Sequence, residues 1–472
     1  MKIEQIYTGC LAQGAYYITS NGEAAIIDPL RETAPYLERL EKDKVVLKYI
    51  FETHFHADFV SGHIDLSKKT GAAIVYGPNA ESDFNMIVAK DGQEFKIGDI
   101  TIKALHTPGH TMESTTYLIK DENGKDYAIF SGDTLFLGDV GRPDLAQKSA
   151  NMTQEDLAGL LYESLMNKIM PLADDIIVYP AHGAGSACGK NMSKETIDNL
   201  GNQKKNNYAL NQPNKLAFIQ AVTEGLTPPP AYFGENVSMN KKGYKNFDQV
   251  LEKGLNPLTP DEFEALAENQ NALILDTRKD TLFFKGFIPQ SVNIGIAGDF
   301  APWTGSLIVD VNQPLLIVTE KNQEEEVITR LSRVGFDNVL GYLEGGFDAW
   351  LKSGKEADTV DRISAFQFSR EFEQGKDLVI DIRKESEYSQ EHIEGAVNQP
   401  LAQINDWINE INPEKHFYLH CAGGYRSMAA SSILIARGFR NFTEIEGGFQ
   451  EIKKMELPLS QSIAEKNNSC QI

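Results

Sequence analysis

The second half of this 472-residue chain contains an internal repeat, which limits the folds open to it more than any other feature. The segment ALILDTRKDTLFFKGFIPQSVNI resembles DLVIDIRKESEYSQEHIEGAVNQP, and the triplet Gly-Gly-Phe occurs at 345–347 and again at 447–449. Each copy alternates strand-like and helical patterns over about 100 residues, which is the size of a small domain. The repeat predicts two tandem α/β domains, at 256–356 and 360–458, each with a parallel sheet covered by helices on both faces.

The first half, residues 1–245, is built from short apolar runs that end in Gly, Pro, Asp or His. These runs are AAIIDP, VLKYIFETHFH, AAIVYG, ITIKALHTPGH, YAIFSGD and DIIVYPAHG. Apolar runs bounded in this way are typical of buried strands, and the loops that follow strands commonly carry functional residues. We therefore expect the polar residues after these strands to lie together at one rim of a layered α/β fold.

The boundary between the two halves is marked by a proline cluster at 228–230 and the polar run 236–246. Polar runs of this kind bury little apolar surface, so this segment marks a domain boundary. The next helix is predicted to begin at Pro260, with Thr259 as its N-cap.

The composition is that of a folded protein, and its charge argues against two classes of partner. The chain has 67 acidic and 45 basic residues, giving a net charge of -22. A surface this negative repels phosphate backbones and anionic lipids, so we expect no nucleic-acid or membrane partner. The chain shows no membrane span or secretion signal, which favours a cytoplasmic protein, and we expect it to form a homo-oligomer.

The cysteines are too few and too scattered for a disulfide framework; they are Cys10, Cys188, Cys421 and Cys470. Isolated cysteines in a reducing compartment are either inert core residues or reactive thiols, and their neighbours decide which. Cys470 lies in the segment 459–472, which we expect to be a frayed tail.

Side chains that bind metals are concentrated in four of the strand-end loops of the first half. They are His54, His56, Asp58, His110, Asp133 and His182. A lone histidine is usually a hydrogen-bonded core or surface residue, but this recurrence of imidazoles and carboxylates is typical of a divalent metal site. The sequence therefore predicts a metal centre at the rim of the first domain.

The motifs T-H-x-H-x-D, G-H-T, G-D and A-H-G together resemble those of the metallo-β-lactamase superfamily. The resemblance extends from the N-terminus to the Ala-His-Gly loop, and it implies an αββα sandwich whose loops surround a metal pocket. Hydrolases of the superfamily often have a histidine directly after the motif's aspartate, where it binds a second metal. This chain has Phe59 at that position. Because a phenyl ring cannot bind a metal, the departure favours a single metal ion.

The stretch SGDTLFLGDVGRPD, residues 131–144, narrows the resemblance to the persulfide dioxygenase branch. That resemblance implies one non-haem Fe(II) held by a facial triad, with positions open for substrate and O₂. The implied ligands are His54, His110 and Asp133. Residues implied to lie beside the metal and orient ligands or water are His56, Asp58 and His182.

Two further residues are candidates for the substrate pocket of the first domain. Arg142 matches the branch's arginine near the thiol substrate, and its alternative interpretation is a surface ion pair. Cys188 follows His182 closely enough to line the same pocket, and a small buried thiol is an equally good interpretation.

The loop His420-Cys421-Ala422-Gly423-Gly424-Tyr425-Arg426-Ser427 carries the reactive group of the second repeat. Cys421 follows the strand FYL and precedes the helix MAASSILIARG. It would therefore face backbone N–H groups and the positive end of a helix, which favour the thiolate. Arg426 adds positive charge, and the two glycines let the backbone curl around the sulfur.

With Asp381, Arg383, Gly395 and the closing Gly-Gly-Phe, this copy resembles a rhodanese sulfurtransferase domain. The resemblance implies that Cys421, with Arg426, accepts a sulfane sulfur as a persulfide and passes it to a nucleophile. The implied sulfur-cradling residues are Ala422, Gly423, Gly424, Tyr425 and Ser427. Only four residues separate Cys421 from Arg426, whereas Cys-dependent phosphatases have five, so the cradle suits a sulfur atom better than a phosphate.

The first copy keeps the organising pair, as Asp276 and Arg278, but not the nucleophile. Its equivalent loop, 318–323, contains neither a cysteine nor the glycine pair. We therefore interpret it as a rhodanese-homology domain that cannot carry sulfur covalently, and we favour a packing role for it.

As a whole, the chain resembles a persulfide dioxygenase–rhodanese fusion. The resemblance implies oxidation of a glutathione, coenzyme A or bacillithiol type of persulfide by O₂ to sulfite and thiol. It also implies that Cys421 forms or uses thiosulfate. Two alternatives stay open, namely a zinc-dependent hydrolase of thioesters such as S-lactoylglutathione fused to a sulfurtransferase, and a non-enzymatic sulfur-carrier or persulfide-sensing scaffold.

Overall fold

The computed structural model describes residues 1–461, so Cys470 and most of the predicted tail at 459–472 lie outside the described residues. The chain divides into two compact units. The first is Met1–Phe247 together with Ser332–Gly335, and the second is Asp248–Leu331 and the chain from Phe336 onward. Within residues 1–461, no helix is both long and apolar enough to cross a bilayer.

The first unit contains twelve strands and seven α-helices among the described residues. The strands are β1 (Lys2–Thr8), β2 (Gln13–Ser20), β3 (Glu23–Ile27), β4 (Val46–Phe51), β5 (Ala73–Tyr76), β6 (Ile87–Val88), β7 (Glu94–Ile97), β8 (Ile100–His106), β9 (Thr115–Lys120), β10 (Asp126–Gly132), β11 (Ile177–Pro180) and β12 (Asp198–Asn199). The helices are α1 (Ala34–Asp43), α2 (His63–Thr70), α3 (Gln147–Ala150), α4 (Gln154–Ser164, continued by a π-helical turn at Leu165–Ile169), α5 (Leu200–Asn206), α6 (Lys215–Thr223) and α7 (Phe233–Lys242). Each of the six apolar runs contains a strand, as predicted.

The strands of this unit form two six-stranded sheets, in the orders β1-β2-β3-β4-β5-β6 and β12-β11-β10-β9-β8-β7. The two-residue period of β2 explains the layering. Tyr16 and Ile18 point into the core shared by the two sheets, whereas Ala15 and Tyr17 pack with α1 and α2. The outer face of the second sheet is covered by α4, α5 and α6. The predicted αββα sandwich is therefore confirmed.

The polar run 236–246, which marks the predicted boundary, belongs to the first unit. Helix α7 covers the first part of this run, and its Asn240 is fully buried. Asn240 Nδ2 donates to the carbonyl oxygens of His56 at 2.9 Å and Phe59 at 2.8 Å, and its Oδ1 accepts from the Ser61 N–H. The polar side chains thus satisfy buried backbone groups of the histidine-rich loop, which composition alone does not distinguish from solvation by water.

The second unit continues the numbering from α8. Its strands are β13 (Pro257–Leu258), β14 (Leu273–Asp276), β15 (Val292–Asn293), β16 (Leu315–Val318), β17 (Val339–Leu343), β18 (Arg362–Ser364), β19 (Leu378–Asp381), β20 (Glu391–Ile393), β21 (Val397–Asn398), β22 (Phe417–His420), β23 (Phe442–Glu446) and β24 (Leu459–Gln461). Its helices are α8 (Phe247–Gly254), α9 (Pro260–Gln270), α10 (Asp280–Phe283), α11 (Phe300–Leu307), α12 (Glu324–Arg333), α13 (Gly346–Lys352), α14 (Ala365–Glu371), α15 (Glu385–Gln390), α16 (Ile404–Trp407), α17 (Tyr425–Ala436) and α18 (Gly448–Ile452), with 3₁₀ turns at Leu401–Gln403 and Ile408–Glu410.

Each repeat forms its own five-stranded parallel sheet, as predicted. The orders are β13-β17-β16-β14-β15 in the first copy and β18-β23-β22-β19-β21 in the second. Helix α9 begins at Pro260, and the Thr259 hydroxyl accepts from the Glu262 N–H, which confirms the predicted cap.

A buried ion pair fixes the same turn in both copies. Arg383 Nη2 lies 2.6 Å from Asp381 Oδ2 and also donates to the Glu391 carbonyl oxygen at 2.7 Å. In the first copy, Arg278 Nη2 lies 2.5 Å from Asp276 Oδ2. Both aspartates are fully buried, and the first copy keeps the pair although it has no nucleophile. The pair organises the domain, as expected.

We expect Asp381→Ala to destabilise the second unit strongly, because it leaves the Arg383 guanidinium buried without its carboxylate. The expected loss is about 3–5 kcal/mol in the free energy of unfolding. Urea denaturation of the full chain measures it, with Asp406→Ala, at an exposed helical aspartate, as the matched control. A loss for Asp381→Ala no larger than that of the control would contradict the organising role.

Candidate metal centre and sulfur cradle

The four histidine- and aspartate-bearing loops meet at one place in the first unit. His54, His110 and Asp133 are buried, and their ligand atoms lie within 4.8 Å of one another. The Nε2 atom of His110 lies 3.4 Å from Asp133 Oδ2, and that of His54 lies 4.0 Å from the same oxygen. The strand ends therefore bring together the three residues that the sequence singled out as metal ligands.

Hydrogen bonds leave the Nε2 atoms of both histidines facing this group. His110 Nδ1 lies 2.8 Å from the Arg142 carbonyl oxygen, to which it must donate. The Thr53 hydroxyl donates to the Asp28 carboxylate at 2.8 Å and so accepts from His54 Nδ1 at 3.0 Å. Burial lowers the pKa of His54 well below its usual value, and the neighbouring histidines lower it further. Both rings thus present a nitrogen lone pair, as metal-binding imidazoles do.

The carboxylate of Asp133 supplies the test of fit for a metal. Both of its oxygens are buried, and neither has a hydrogen-bond partner among residues 1–461. A buried carboxylate without partners is costly unless a cation compensates it. Two imidazoles and one carboxylate suit a divalent transition metal, so the residues fit such an ion. The role of the three as its ligands stays a prediction.

His56 is turned toward two carboxylates that sequence reasoning missed. Its Nε2 atom lies 3.1 Å from Asp28 Oδ1 and 3.5 Å from Glu52 Oε2. Burial lowers the pKa of His56, but the two carboxylates outweigh burial and raise it to about 9. Asp28 ends the run AAIIDP, and this strand-end position was the available signal.

His182 and Asp58 lie on the other side of Asp133. His182 Nε2 is 3.4 Å from Asp58 Oδ2 and 3.5 Å from Asp133 Oδ1. With His56 they form a second group of three possible donors. The centroid of the Phe59 ring lies 4.2 Å from that of the His56 ring, and the phenyl ring offers no ligand atom.

The two predicted substrate-binding residues are both buried near the centre. Arg142 donates to Asp144 through Nε and Nη2, each at 2.7 Å, and to the carbonyl oxygens of Ala187 and Thr227. Its contact with the centre is thus its carbonyl oxygen, which holds His110. Cys188 forms a further group with Asp133 and His182, and burial raises the pKa of its thiol. Substrate binding by either residue stays a prediction.

Gly141 gives a test of how tightly the centre is packed. A Cβ atom there would lie 2.0 Å from the Asp133 carbonyl oxygen and 3.1 Å from His110 Nδ1. We expect Gly141→Ala to displace both residues and to lower bound metal per chain at least about tenfold. Metal analysis after dialysis measures this. Gly9→Ala, where nothing lies within 4 Å, is the control, and equal metal contents would contradict the packing argument.

In the second unit, the Cys421 sulfur lies in a cradle made by its own loop. The Gly424 N–H donates to Sγ at 3.1 Å, and Ser427 Oγ lies 3.5 Å from it. Gly424 has φ of 110°, which favours glycine, as the paired glycines predicted. The Gly-Gly-Phe triplet packs closely against this loop. A Cβ on Gly448 would lie only 2.4 Å from the Cys421 carbonyl oxygen. Cys421 itself is 1% exposed.

The rest of the predicted cradle is held by neighbouring elements. Helix α17 begins at Tyr425, three residues earlier than the apolar pattern indicated, so Arg426 and Ser427 lie in its first turn. The Gln450 N–H donates to the Ala422 carbonyl oxygen at 3.0 Å, and the side chain of Gln450 adjoins Gly423. Arg426 makes a bidentate ion pair with Glu387 at 2.6 and 2.8 Å, so its charge is already compensated.

The first copy contacts this cradle directly. The Tyr425 hydroxyl donates to the Gly295 carbonyl oxygen at 2.8 Å, and a Cβ on Gly298 would lie 2.7 Å from the Tyr425 ring. Thr319 follows β16 in the first copy where Cys421 follows β22 in the second. These contacts support the packing role expected for the copy without a nucleophile.

Comparisons with known proteins agree with both halves of this description. The Metallo-beta-lactamase superfamily model matches residues 8–182, and the Rhodanese-like domain model matches 259–353 and again 364–455. The chain joins a metallo-β-lactamase domain to two rhodanese-like domains. This arrangement of domains is the one that the resemblance to persulfide dioxygenase–rhodanese fusions implied.

The relatives of the metallo-β-lactamase domain include proteins named for two different activities. The Hydroxyacylglutathione hydrolase of Tolumonas auensis (strain DSM 9187 / NBRC 110442 / TA 4) is 35% identical over 171 residues, which are 35% of this chain and 60% of that protein. The mitochondrial Persulfide dioxygenase ETHE1 of Homo sapiens is 33% identical over 164 residues, 34% of this chain and 59% of that protein. The matched region thus covers about three fifths of either relative's length.

A solved structure covers more of the chain. The metallo-beta-lactamase from Staphylococcus aureus subsp. aureus COL has a TM-score of 0.66 and 29% sequence identity, and the match covers 72% of this chain and 98% of that one. It therefore extends beyond the metallo-β-lactamase domain into the rhodanese region.

Proposed function

We propose that the metallo-β-lactamase domain oxidises the terminal sulfur of a low-molecular-weight thiol persulfide with O₂, and that Cys421 transfers sulfane sulfur. The observation that carries the proposal is the group formed by His54, His110 and Asp133, beside which Phe59 replaces a possible ligand of a second metal. The similarity to a protein named Persulfide dioxygenase, and the presence of a sulfur cradle in the same chain, support it.

The proposed oxidation consumes one persulfide, one O₂ and one water, and it yields one thiol and one sulfite with its protons. When bound by the three residues, Fe(II) supplies the redox-active centre that this reaction needs. Glutathione, coenzyme A and bacillithiol persulfides all meet the chemical requirement for a substrate.

The residues of the first unit keep the centre dry and its donors fixed. The Arg142 carbonyl oxygen and the Thr53 hydroxyl hold the two imidazoles with Nε2 inward. The three donor side chains are each at most 2% exposed, which limits the access of water to a reactive sulfur. Cys188 forms a buried group with Asp133 and His182, and in the proposed site it lines the substrate pocket beside the metal.

In the second unit, the proposed transfer uses only Cys421. The cysteine sulfur attacks the outer sulfur of a persulfide, the S–S bond of that persulfide breaks, and the carrier leaves as a thiol. Sulfite then attacks the outer sulfur held on Cys421, which releases thiosulfate and restores the cysteine. The Gly424 N–H, aimed at Sγ, stabilises negative charge on the sulfur in both steps.

A second candidate function is hydrolysis of a thioester such as S-lactoylglutathione with bound zinc. It is favoured by the similarity to hydroxyacylglutathione hydrolases and by the second donor group of His56, Asp58 and His182. Phe59 and the pairing of His56 with Asp28 argue against a second metal there.

Metal replacement distinguishes the two candidates. We expect the iron-loaded chain to consume O₂ with glutathione persulfide. We expect the zinc-loaded chain to consume no O₂ and to hydrolyse S-lactoylglutathione much more slowly than the iron-loaded chain consumes O₂. Oxygen-electrode and thiol-release assays on the same two preparations measure this. Rapid thioester hydrolysis by the zinc form, with no O₂ uptake by the iron form, would favour the hydrolase.

A further inference from the structure

Behind the Cys421 sulfur lies a buried carboxyl group that the sulfur-transfer scheme above leaves unused. Glu444 belongs to β23 and has no exposed surface. Its Oε1 accepts from Ser427 Oγ at 2.6 Å, and Ser427 Oγ lies 3.5 Å from Cys421 Sγ. Its Oε2 accepts from Arg362 Nε at 2.6 Å. The Cys421 thiol, the Ser427 hydroxyl and the Glu444 carboxylate thus form a continuous line of hydrogen-bonding groups.

The chemistry of these groups fixes the direction of the line. A hydroxyl has one proton, and Ser427 Oγ lies nearer the Glu444 carboxylate than the Gly424 carbonyl oxygen, which is 3.0 Å away. A carboxylate can only accept, so Ser427 donates to Glu444 and offers a lone pair to the sulfur. The thiol proton of Cys421 can therefore pass to Ser427 while the serine proton passes to Glu444.

The copy without a nucleophile lacks every member of this line. Aligned on the two Gly-Gly-Phe triplets, Thr319 stands for Cys421, Glu325 for Ser427 and Tyr342 for Glu444. The two copies share their fold and their organising Asp–Arg pair, so the fold does not require the carboxylate. Its occurrence with the cysteine alone points to a role in the chemistry of the sulfur.

We propose that Glu444 is a positioning residue that receives the Cys421 thiol proton through Ser427 and returns it at the end of sulfur transfer. The proposal rests on the proposed sulfurtransferase function and adds its proton acceptor. When Cys421 becomes a thiolate, Glu444 becomes a neutral carboxylic acid. When the departing sulfur leaves Cys421 as a thiolate, the same proton passes back through Ser427, so no proton is gained or lost in the cycle.

The surroundings of Glu444 suit it to this exchange. Burial raises its pKa above the usual value for a glutamate, although the Arg362 guanidinium and the Ser427 hydroxyl each lower it. Arg362 Nη2 also lies 3.6 Å from Asp280 Oδ2 in the first copy, so the guanidinium is shared between two carboxylates. A raised pKa of the carboxyl group is closer to the pKa of a thiol, and this eases proton transfer between the two groups.

The alkylation rate of Cys421 by iodoacetamide in the full chain tests the proposal, because the thiolate is the reacting form. The rate is followed by mass spectrometry of the Cys421 peptide from acidic to alkaline pH. We expect Glu444→Gln, which keeps the size of the side chain, to lower the rate about tenfold or more at neutral pH. The difference should close at alkaline pH, where hydroxide removes the proton. Ser427→Ala should cause a similar loss, and the double variant no further one.

Glu446→Gln, at an exposed glutamate two residues along β23, is the matched control and should react as the unmodified chain does. A rate in Glu444→Gln that equals or exceeds that of the control would overturn the proposal. A purely electrostatic role predicts such an increase, because removing a negative charge favours the thiolate. If Glu444→Gln melts at a lower temperature, Ser427→Ala alone decides by the same criterion. Loss of alkylation rate in a chain that transfers no sulfur would instead overturn the proposed function and leave the proton path standing.

Discussion

Cys421→Ser is expected to abolish the formation of thiosulfate from persulfide and sulfite while leaving O₂ uptake with persulfide unchanged. A serine hydroxyl at this position cannot hold a transferable sulfane sulfur, so we expect the sulfurtransferase rate to fall more than about 1,000-fold. The metal donors belong to the other compact unit and are untouched by the substitution.

Thiosulfate can be quantified after thiol labelling and chromatography, with O₂ uptake recorded on the same sample. Cys10→Ser, at a half-buried cysteine outside both sites, is the control and should behave as the unmodified chain. Undiminished thiosulfate output in Cys421→Ser would contradict the assignment of Cys421 as the sulfur carrier.

Asp133→Ala is expected to remove both bound iron and O₂ uptake, while the sulfurtransferase rate stays unchanged. Asp133 is the only carboxylate in the group with His54 and His110, and its two oxygens have no hydrogen-bond partner among the described residues. Without it the site loses its charge compensation as well as a ligand. We expect O₂ uptake to fall more than about 100-fold.

The iron content of the purified chain and its O₂ uptake measure this effect. Asp126→Ala, at the first residue of β10, the strand that Asp133 follows, is the control for folding and should keep both. Asp133→Ala with full iron content would contradict the assignment of the ligand, and full O₂ uptake would contradict the role of the centre.

The sequence was sufficient to predict the strand-end loops and the two rhodanese-like copies, because both follow from local patterns. His54, His110 and Asp133 each come directly or shortly after an apolar run, and the strands that precede them, β4 of the first sheet and β8 and β10 of the second, end at the same place. The Gly-Gly-Phe repeat similarly predicted the parallel sheets of the second unit.

Long-range partners could not be predicted in the same way. The burial of Asn240 against the His56 loop joins positions 184 residues apart, and its polar neighbours have the composition of a linker. The compensation of Arg426 by Glu387, and the approach of Glu444 to Ser427, also depend on how separate elements pack. A sequence shows which groups are present, but only packing shows which charges are already paired.

The most direct test of the central claim is the stoichiometry of O₂ uptake by the iron-loaded chain with glutathione, coenzyme A and bacillithiol persulfides. We predict that at least one of them supports turnover, with sulfite and thiosulfate together equal to the O₂ consumed. No O₂ uptake with any of the three, by a preparation holding one ferrous ion per chain, would contradict the claim.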